Sequence, residues 1–326
     1  MTWMAPGELR LNEPMRNHVS WRAGGVAAQC YAPKNREDLV DFVCTRAPGE
    51  KLHVVGLGSN LLVRDGGLDA TVVLTHGALR SSAVAGAEAR GTVLEVEAGV
   101  PAPKVARMAA RLGLAGAEFL AGIPGTMGGA LAMNAGCYGS ETWDFVVSVT
   151  TLDRNGCIRV RTPADYVIGY RHVALRAAEN TERAAQNDRQ PLEPDGEWFL
   201  AARLAFPEGS AEQALRRIRE LLARRVASQP LGQPNAGSVF RNPAGDHAAR
   251  LIEACGLKGE QEGGAEVSRK HANFIVNRGD ATARDIETLI RKIQDRVLQE
   301  CGVSLVTEVR IVGKPLEVKE IAQWQC

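Results

Sequence analysis

Apolar residues recur along this chain at two spacings, and each change of spacing marks the edge of an element. The helical spacing is the easier to follow. Asn35 with Asp38 three residues on is a helix start, Leu39, Phe42 and Val43 give the apolar face, and Pro48 and Gly49 close it. Val105, Met108, Ala109 and Leu112 stand at i, i+3, i+4 and i+7 behind Pro101 and Pro103, with Gly113 placed to end the helix. Leu215, Ile218, Leu221 and Leu222 lie opposite Arg216, Arg217, Arg219, Arg224 and Arg225; most of that row reads as a solvated face, with Arg224 and Arg225 able to reach an anion. Asp246 begins a short helix that ends at Gly256. Thr282 and Asp285 form a capping box ahead of Ile286, Leu289, Ile290, Ile293 and Val297, a long helix ended by Gly302.

Strand patterns fill the gaps between these helices. Leu52–Val55, Leu61–Val63, Thr71–Thr75, the alternation of Leu94, Val96 and Ala98 with Glu95 and Glu97, Phe145–Leu152, Phe199–Phe206 and Asn273–Asn277 all read as strands. Asn155-Gly156 is the dipeptide of a type I′ hairpin. The last strand, Ser304–Val312, carries Glu308. Residues 1–30 read as turn-rich, residues 177–198 as a polar surface insertion, Pro207-Glu208-Gly209 as a boundary, and 314–326 as a loose tail. Strands following strands among helices predict an α+β fold.

Between the second helix and the Phe145 strand lies GIPGTMGGALAMNAGCYG, Gly122 to Gly139, rich in glycine and without a charged residue. Repeated glycine costs roughly 0.5–1 kcal/mol each in regular structure. Bare backbone N–H groups in such a loop form a cradle for phosphate or pyrophosphate, although a tightly packed Ala/Gly segment is the other reading. The earlier Gly56-Leu57-Gly58 follows a strand, but an apolar triplet and a turn come next instead of a helix, which disfavours a Rossmann domain.

Charge and cysteine content narrow the class. With 39 basic against 38 acidic residues, nothing suggests nucleic acid or a membrane surface as a partner, and no stable protein partner is evident. The 7 cysteines are scattered without a C-x-x-C spacing, so they read as reduced thiols and no metal site is expected. No signal-like or membrane-spanning apolar run is present, and a cytoplasmic protein is expected.

Three places hold more polar chemistry than packing asks for: Tyr170-Arg171, the segment Pro234 to Pro243, and Glu308. Together with VVGLGSNLLVRDGG (54–67), AGIPGTMGGALAMNAGCYG (121–139), GYR (169–171), QPNAGSVFRNP (233–243), VSRKHANFIVN (267–277) and TEVRIVG (307–313), they give the chain its resemblance. It resembles the UDP-N-acetylenolpyruvoylglucosamine reductase family. Without the extra tyrosine-bearing loop of some members, it looks like the shorter, second type.

The resemblance implies a two-part FAD-binding module of the vanillyl-alcohol-oxidase-like (PCMH) type, residues 1–68 and 69–206, with a C-terminal α+β substrate-binding domain, 207–313. It implies bound FAD, NADPH as hydride donor and UDP-N-acetylglucosamine enolpyruvate as substrate. Gly56, Gly58, Ser59, Asn60, Leu61, Gly122, Ile123, Pro124, Gly125, Thr126, Gly128, Gly129, Ala135 and Gly136 would hold the cofactor. Ser238 matches the proton donor, Arg171 and Glu308 the other catalytic residues, and Tyr138, Arg225, Asn242 and Lys270 the contacts to the nucleotide sugar. The chain departs from the family pattern at Val173, often serine, at Arg241, commonly lysine, and in the length of its insertion. Another FAD enzyme of the same fold, or a non-catalytic flavin or nucleotide-sugar binder, would share the glycine loops without needing Arg171, Ser238 and Glu308 together.

Overall fold

In the computed structural model, residues 4–47, 49–176 and 196–316 are described; Pro48, most of the expected insertion and the tail from residue 317 lie outside them. The first unit contains β1 (Glu8–Pro14), β2 (Val26–Ala32), α1 (Arg36–Cys44), β3 (Leu52–Val55), β4 (Leu61–Val63) and β5 (Leu68–Leu74). Its sheet runs β1-β2-β5-β3, antiparallel between β1 and β2 and parallel thereafter. The first two strands correct the turn-rich reading of residues 1–30. Their signal was weak because the apolar residues of β1 face outward, Leu9 being 46% and Leu11 67% exposed, so backbone pairing with β2 holds this edge strand. Asn35 caps α1 as expected, its Oδ1 accepting from Asp38 N at 2.9 Å.

The middle unit holds β6 (Ser82–Glu88), β7 (Gly91–Glu97), α2 (Ala102–Arg111), α3 (Met127–Ala132), β8 (Gly136–Cys137), β9 (Ser140–Glu141), β10 (Val146–Asp153), β11 (Ile158–Arg161), β12 (Tyr166–Gly169), β13 (His172–Leu175) and β14 (Glu197–Phe206). An antiparallel five-stranded sheet in the order β11-β10-β14-β7-β6 packs on α2 and α3. Asn155-Gly156 does not make a type I′ turn. Gly156, at φ +78°, follows a turn in which Gly156 N donates to Asp153 O, and Asp153 N donates to Cys157 O. This is a longer loop, with Asp153 Oδ1 accepting from Asn155 N and Cys157 N at 2.9 Å each.

The helix after the expected boundary, α4 (Ala211–Ser228), buries Ala214 and Ile218 in the core of the middle unit beside Val105 and Phe206. Arg216, Arg217, Arg219 and Arg224 face solvent, and Arg225 turns inward. The third unit consists of α5 (Ala248–Ala254), β15 (Gln261–Glu262), β16 (Ala265–Val267), β17 (Ile275–Asn277), α6 (Ala283–Cys301) and β18 (Arg310–Val312). Two of its strands are shorter than the sequence suggests. Asn273 is a buried bracket, accepting from Phe240 N at 2.9 Å and donating to Phe240 O at 2.8 Å, so pairing starts at Ile275. Ahead of Arg310 the chain makes an isolated bridge, Thr307 to Phe240, in place of a ladder among the described residues, so Glu308 precedes the regular strand. Asp246 pairs with Arg250, and α5 starts beyond it, where Asn242 Oδ1 accepts from Ala248 N at 3.1 Å.

The first and third units share one core. Trp21, Ala23 and Leu62 pack among Ile286, Ile290 and Val309. Trp21 Nε1 donates to Ile275 O and Asn277 Nδ2 to Trp21 O, both at 2.8 Å, and β18 lies parallel to β4 with Arg310 opposite Leu61. The capping box of α6 forms as expected, and Asp65 adds acceptors for Ala283 N and Arg284 N from the first unit. This brings loop 56–61, the glycine-rich stretch and Glu308 to one place.

Candidate active site

A cavity of about 380 Å³ lies where the three units meet. Every residue expected to hold the cofactor, from Gly56 to Leu61 and from Gly122 to Gly136, lines it, as do Tyr138, Arg171, Arg225, Ser238 and Glu308. Asn242 and Lys270 do not. Asn242 is occupied at the start of α5, and the exposed Lys270 extends its ammonium to Val226 O at the end of α4, one residue from Arg225.

The glycines divide into two groups. Several are demanded by the chain itself: an added Cβ would stand 2.2 Å from His18 O at Gly58, 2.3 Å from Thr126 Oγ1 at Gly56, 2.7 Å from Cys137 Sγ at Gly122, 2.9 Å from Ala98 Cβ at Gly128 and 2.5 Å from Ser140 O at Gly136. Gly58 also sits at φ +59°. Gly125 and Gly129 differ. A Cβ at Gly125 would crowd Ser59 Oγ at 3.2 Å, whereas one at Gly129 would meet Thr126 Oγ1 at an ordinary 3.9 Å, so at Gly129 the wall is smoother than packing needs. Tight packing at most glycines and an open wall at Gly129 therefore occur in one stretch.

Tyr138 and Gly139 occupy the turn between β8 and β9 at φ +58° and +88°. Positive φ at both central residues is the type I′ condition, unusual for tyrosine, and it lifts the ring over the cavity. Tyr138 Oη donates to Leu221 O at 3.1 Å. One turn along α4 from Leu221, Arg225 is anchored by Gly122 O and by Gln229 Oε1, the latter at 2.7 Å, and burial lowers its pKa. Cys137 lies beside them with its thiol pushed up to about 11 by burial, which keeps it protonated and unreactive.

Arg171 forms the turn between β12 and β13 at φ +55°. Its Nε donates to Glu308 Oε1 at 2.8 Å, while its other nitrogens donate to Asn134 O at 3.3 Å and Gly136 O at 3.0 Å. Glu308 itself is held by backbone: its N donates to Val239 O at 2.7 Å, and its carbonyl accepts from Asn60 Nδ2 at 3.0 Å. Ser238 precedes Val239, so the Ser238 hydroxyl and the Glu308 carboxyl are carried on hydrogen-bonded segments. Burial raises the Glu308 pKa above the ordinary carboxyl value, against the opposing charges of Arg171 and Arg241.

Two residues of the site escaped the sequence reading. Asn134, fully buried at φ +41°, donates from Nδ2 to Glu141 Oε2 at 2.6 Å and Gly169 O at 3.2 Å, accepts from Trp143 N at 3.1 Å, and presents its carbonyl to Arg171. Asparagine tolerates left-handed backbone, and this asparagine among small residues was the available signal. Arg310 also lines the cavity, and its place two residues from Glu308 could have identified it.

The domain family described as UDP-N-acetylenolpyruvoylglucosamine reductase, C-terminal domain, matches residues 229–312, and the family described as FAD binding domain matches 27–161. A reductase of that name from Thiobacillus denitrificans is 53% identical over 317 residues, covering 94% of this chain and 93% of its own. The chain belongs to the UDP-N-acetylenolpyruvoylglucosamine reductase family. The corresponding protein of Nitrosospira multiformis is 53% identical across 95% of this chain and 90% of its own. The crystal structure of the Thermus caldophilus reductase superposes with a TM-score of 0.73 at 32% identity, covering 93% of this chain and 98% of that one. In this family member the C-terminal match begins at 229, after α4, in keeping with the packing of α4 on the middle unit. The fold is thus an FAD-binding module of the PCMH type joined to the family's C-terminal domain. The residues present fit a flavin nucleotide: an open glycine wall at Gly129, and a buried guanidinium, Arg310, whose Nε has no partner among the described residues.

Proposed function

We propose that this chain reduces UDP-N-acetylglucosamine enolpyruvate to UDP-N-acetylmuramate, using FAD held along residues 56–61 and 122–136 and NADPH as the hydride donor. The observation that carries the proposal is the Arg171–Glu308 pair, 2.8 Å apart, in the cavity that the glycine wall and Ser238 also line. Bound FAD would supply the relay of hydride from the nicotinamide to the terminal carbon of the enolpyruvyl group. What the chain adds is charge and a proton. As negative charge develops beside the substrate carboxylate, the Arg171 guanidinium, fixed by two backbone carbonyls, opposes it without reorganising. Burial raises the Glu308 pKa and so favours its protonated form, in which it donates a hydrogen bond to the same charge. A donor of this kind is worth roughly 3–4 kcal/mol of barrier.

Ser238 delivers the proton to the carbon beside the carboxylate. A hydroxyl is a weak acid, but an enolate-like carbon is a strong base, so aim decides the outcome more than pKa does. Gly237 at φ +75°, with its N–H bonded to Asn235 Oδ1 at 3.0 Å, sets that aim. Tyr138 and Arg225 receive the nucleotide sugar at the mouth, and Asn242 and Lys270 serve it from outside the cavity wall. Ser238→Ala is expected to bind FAD and to be reduced by NADPH at the normal rate, while reoxidation by the enolpyruvyl sugar in stopped-flow falls by about a hundredfold or more. Near-normal reoxidation would remove Ser238 as the proton donor.

A further inference from the structure

Two thiols outside the cavity meet where α5 and α6 end. Cys255 Sγ and Cys301 Sγ stand 3.6 Å apart, although the residues are 46 positions apart in the chain. Both are presented by helix ends whose caps fix the backbone. Cys255 N donates to Leu251 O at 3.1 Å, and Gly256 follows at φ +69°. Cys301 is the last residue of α6, and Gly302, at φ +68°, donates from N to Leu298 O at 3.0 Å. Glycine takes this left-handed conformation without strain, so each helix stops with its cysteine at the final turn. Between the helices Leu251 and Ile252 share one core with Ile290, Ile293 and Val297, and both cysteines lie against that core. Other described cysteines are placed differently: Cys30 is buried in the core of the first unit, Cys137 lines the cavity, and Cys44 and Cys157 are exposed.

Cys255 and Cys301 are only partly buried, so the pair is not sealed from solvent. Burial, with the hydrogen bonds to Cys301 and Glu300, pushes the Cys255 thiol up to about 12, so it rests protonated. Arg250 is close enough to Cys301, and Arg296 to Cys255, for each guanidinium to favour a thiolate formed transiently. We propose that Cys255 and Cys301 are a modification site, a dithiol that hydrogen peroxide converts to a disulfide joining α5 to α6. One sulfur, as thiolate, attacks a peroxide oxygen; the O–O bond breaks, hydroxide leaves and takes up a proton, and the sulfur becomes a sulfenic acid. The second thiol then attacks that sulfur, forming the S–S bond and releasing the sulfenic oxygen as water. Two thiols and one peroxide thus give one disulfide and two waters, and a dithiol reductant reverses the change. From 3.6 Å to a bond of about 2.0 Å the sulfurs must approach by about 1.6 Å, which rotation about the two Cα–Cβ bonds can supply. The bond would close a long loop in the unfolded chain, and neither cysteine lines the cavity, so its effect is to stabilise the third unit.

The test starts with the full-length wild-type protein, treated with hydrogen peroxide, blocked with an alkylating reagent and digested with trypsin. Cleavage after Arg250, Lys258, Arg296 and Arg310 puts Cys255 in LIEACGLK (251–258) and Cys301 in VLQECGVSLVTEVR (297–310). These two peptides are expected to appear joined, lighter than their sum by two hydrogens, and to separate after dithiothreitol. Recovery of both as alkylated peptides, or of each carrying its own sulfinic acid, at a peroxide concentration that oxidises the exposed Cys44 and Cys157 overturns the proposal. Thermal melting of the same samples reads the consequence. Oxidised wild type is expected to melt about 3–6 °C above its dithiothreitol-treated control, and Cys301→Ser to show no such rise. An equal rise in Cys301→Ser places the effect at other cysteines and overturns the stabilising role, as does a joined peptide without any rise. If Cys301→Ser does not fold, Cys255→Ser supplies the control, and the peptide map of wild type needs neither variant.

Discussion

Glu308 is pulled two ways: burial favours its neutral form, and Arg171 and Arg241 favour its charge, with burial the larger effect. A carboxyl whose folded pKa lies above its unfolded value of 4.5 binds its proton more tightly in the folded state. It therefore favours folding less as pH rises from 4.5 through that raised value. Two consequences follow for Glu308→Gln, which keeps a neutral donor. The stability difference between variant and wild type should move in favour of the variant as pH increases across that window, read from denaturant midpoints. In parallel, the wild-type rate of sugar-dependent flavin reoxidation should fall as Glu308 ionises, and the slower variant should lack that limb. An identical pH profile in both proteins would mean that another group titrates. The sequence marked the stretches around Arg171, Ser238 and Glu308 as more polar than packing asks for, and the fold brings all three to one cavity. Arg310 was less visible, since its significance comes from a missing partner and burial, neither of which a sequence displays.

Among the elements, the glycine-rich stretch makes two separable demands. Gly58→Ala would force a methyl to 2.2 Å from His18 O at a positive φ, so melting should drop by several degrees, for a loss of about 1–3 kcal/mol. Gly129→Ala meets nothing closer than 3.9 Å and gains helix propensity of up to about 1 kcal/mol in α3, so the flavin-free protein should be at least as stable as wild type. Its FAD affinity should nonetheless fall, because the methyl enters the cavity. Fluorescence titration beside thermal melts separates the two, and equal FAD affinity in Gly129→Ala would show that the wall is mere packing. Asn134→Ala should resemble neither: it unties the β12–β13 turn from the β8–β9 hairpin and misplaces Arg171, so reoxidation should slow more than flavin reduction. Periodicity found α1, α2, α4 and α6 because each buries one face, and it missed α3, where glycine and alanine hide the pattern. It missed β1, β2, β6 and the short strands β8, β9, β15 and β16, ran its strands through Asn273 and Glu308 where side-chain brackets replace ladder bonds, and took Asn155-Gly156 for a two-residue turn because Asp153's role depends on geometry.

For the whole molecule, the joining of the first and third units brings the third unit's Ser238, Glu308 and Arg310 to a cavity that the first and middle units also line. Trp21, Ala23 and Leu62 belong to the core of the third unit, Asp65 caps α6, and Arg64 pairs with Glu287 at 2.9 Å. A fragment of residues 229–316 alone would expose that core, and it is expected to lack a cooperative thermal transition, whereas the full chain unfolds with one between the two units. A sharp transition in the fragment would contradict the shared core. The sequence announced this arrangement poorly, since residues more than two hundred positions apart leave no local trace, and α4 read as the start of the third unit although it is bonded by packing to the middle one. The central claim, that one cavity serves both the flavin and the enolpyruvyl sugar, is tested most directly by anaerobic reduction of the purified protein with NADPH, followed by addition of the sugar. The absorbance of oxidised flavin is expected to bleach with NADPH and return on adding UDP-N-acetylglucosamine enolpyruvate; flavin that bleaches and stays bleached would contradict it.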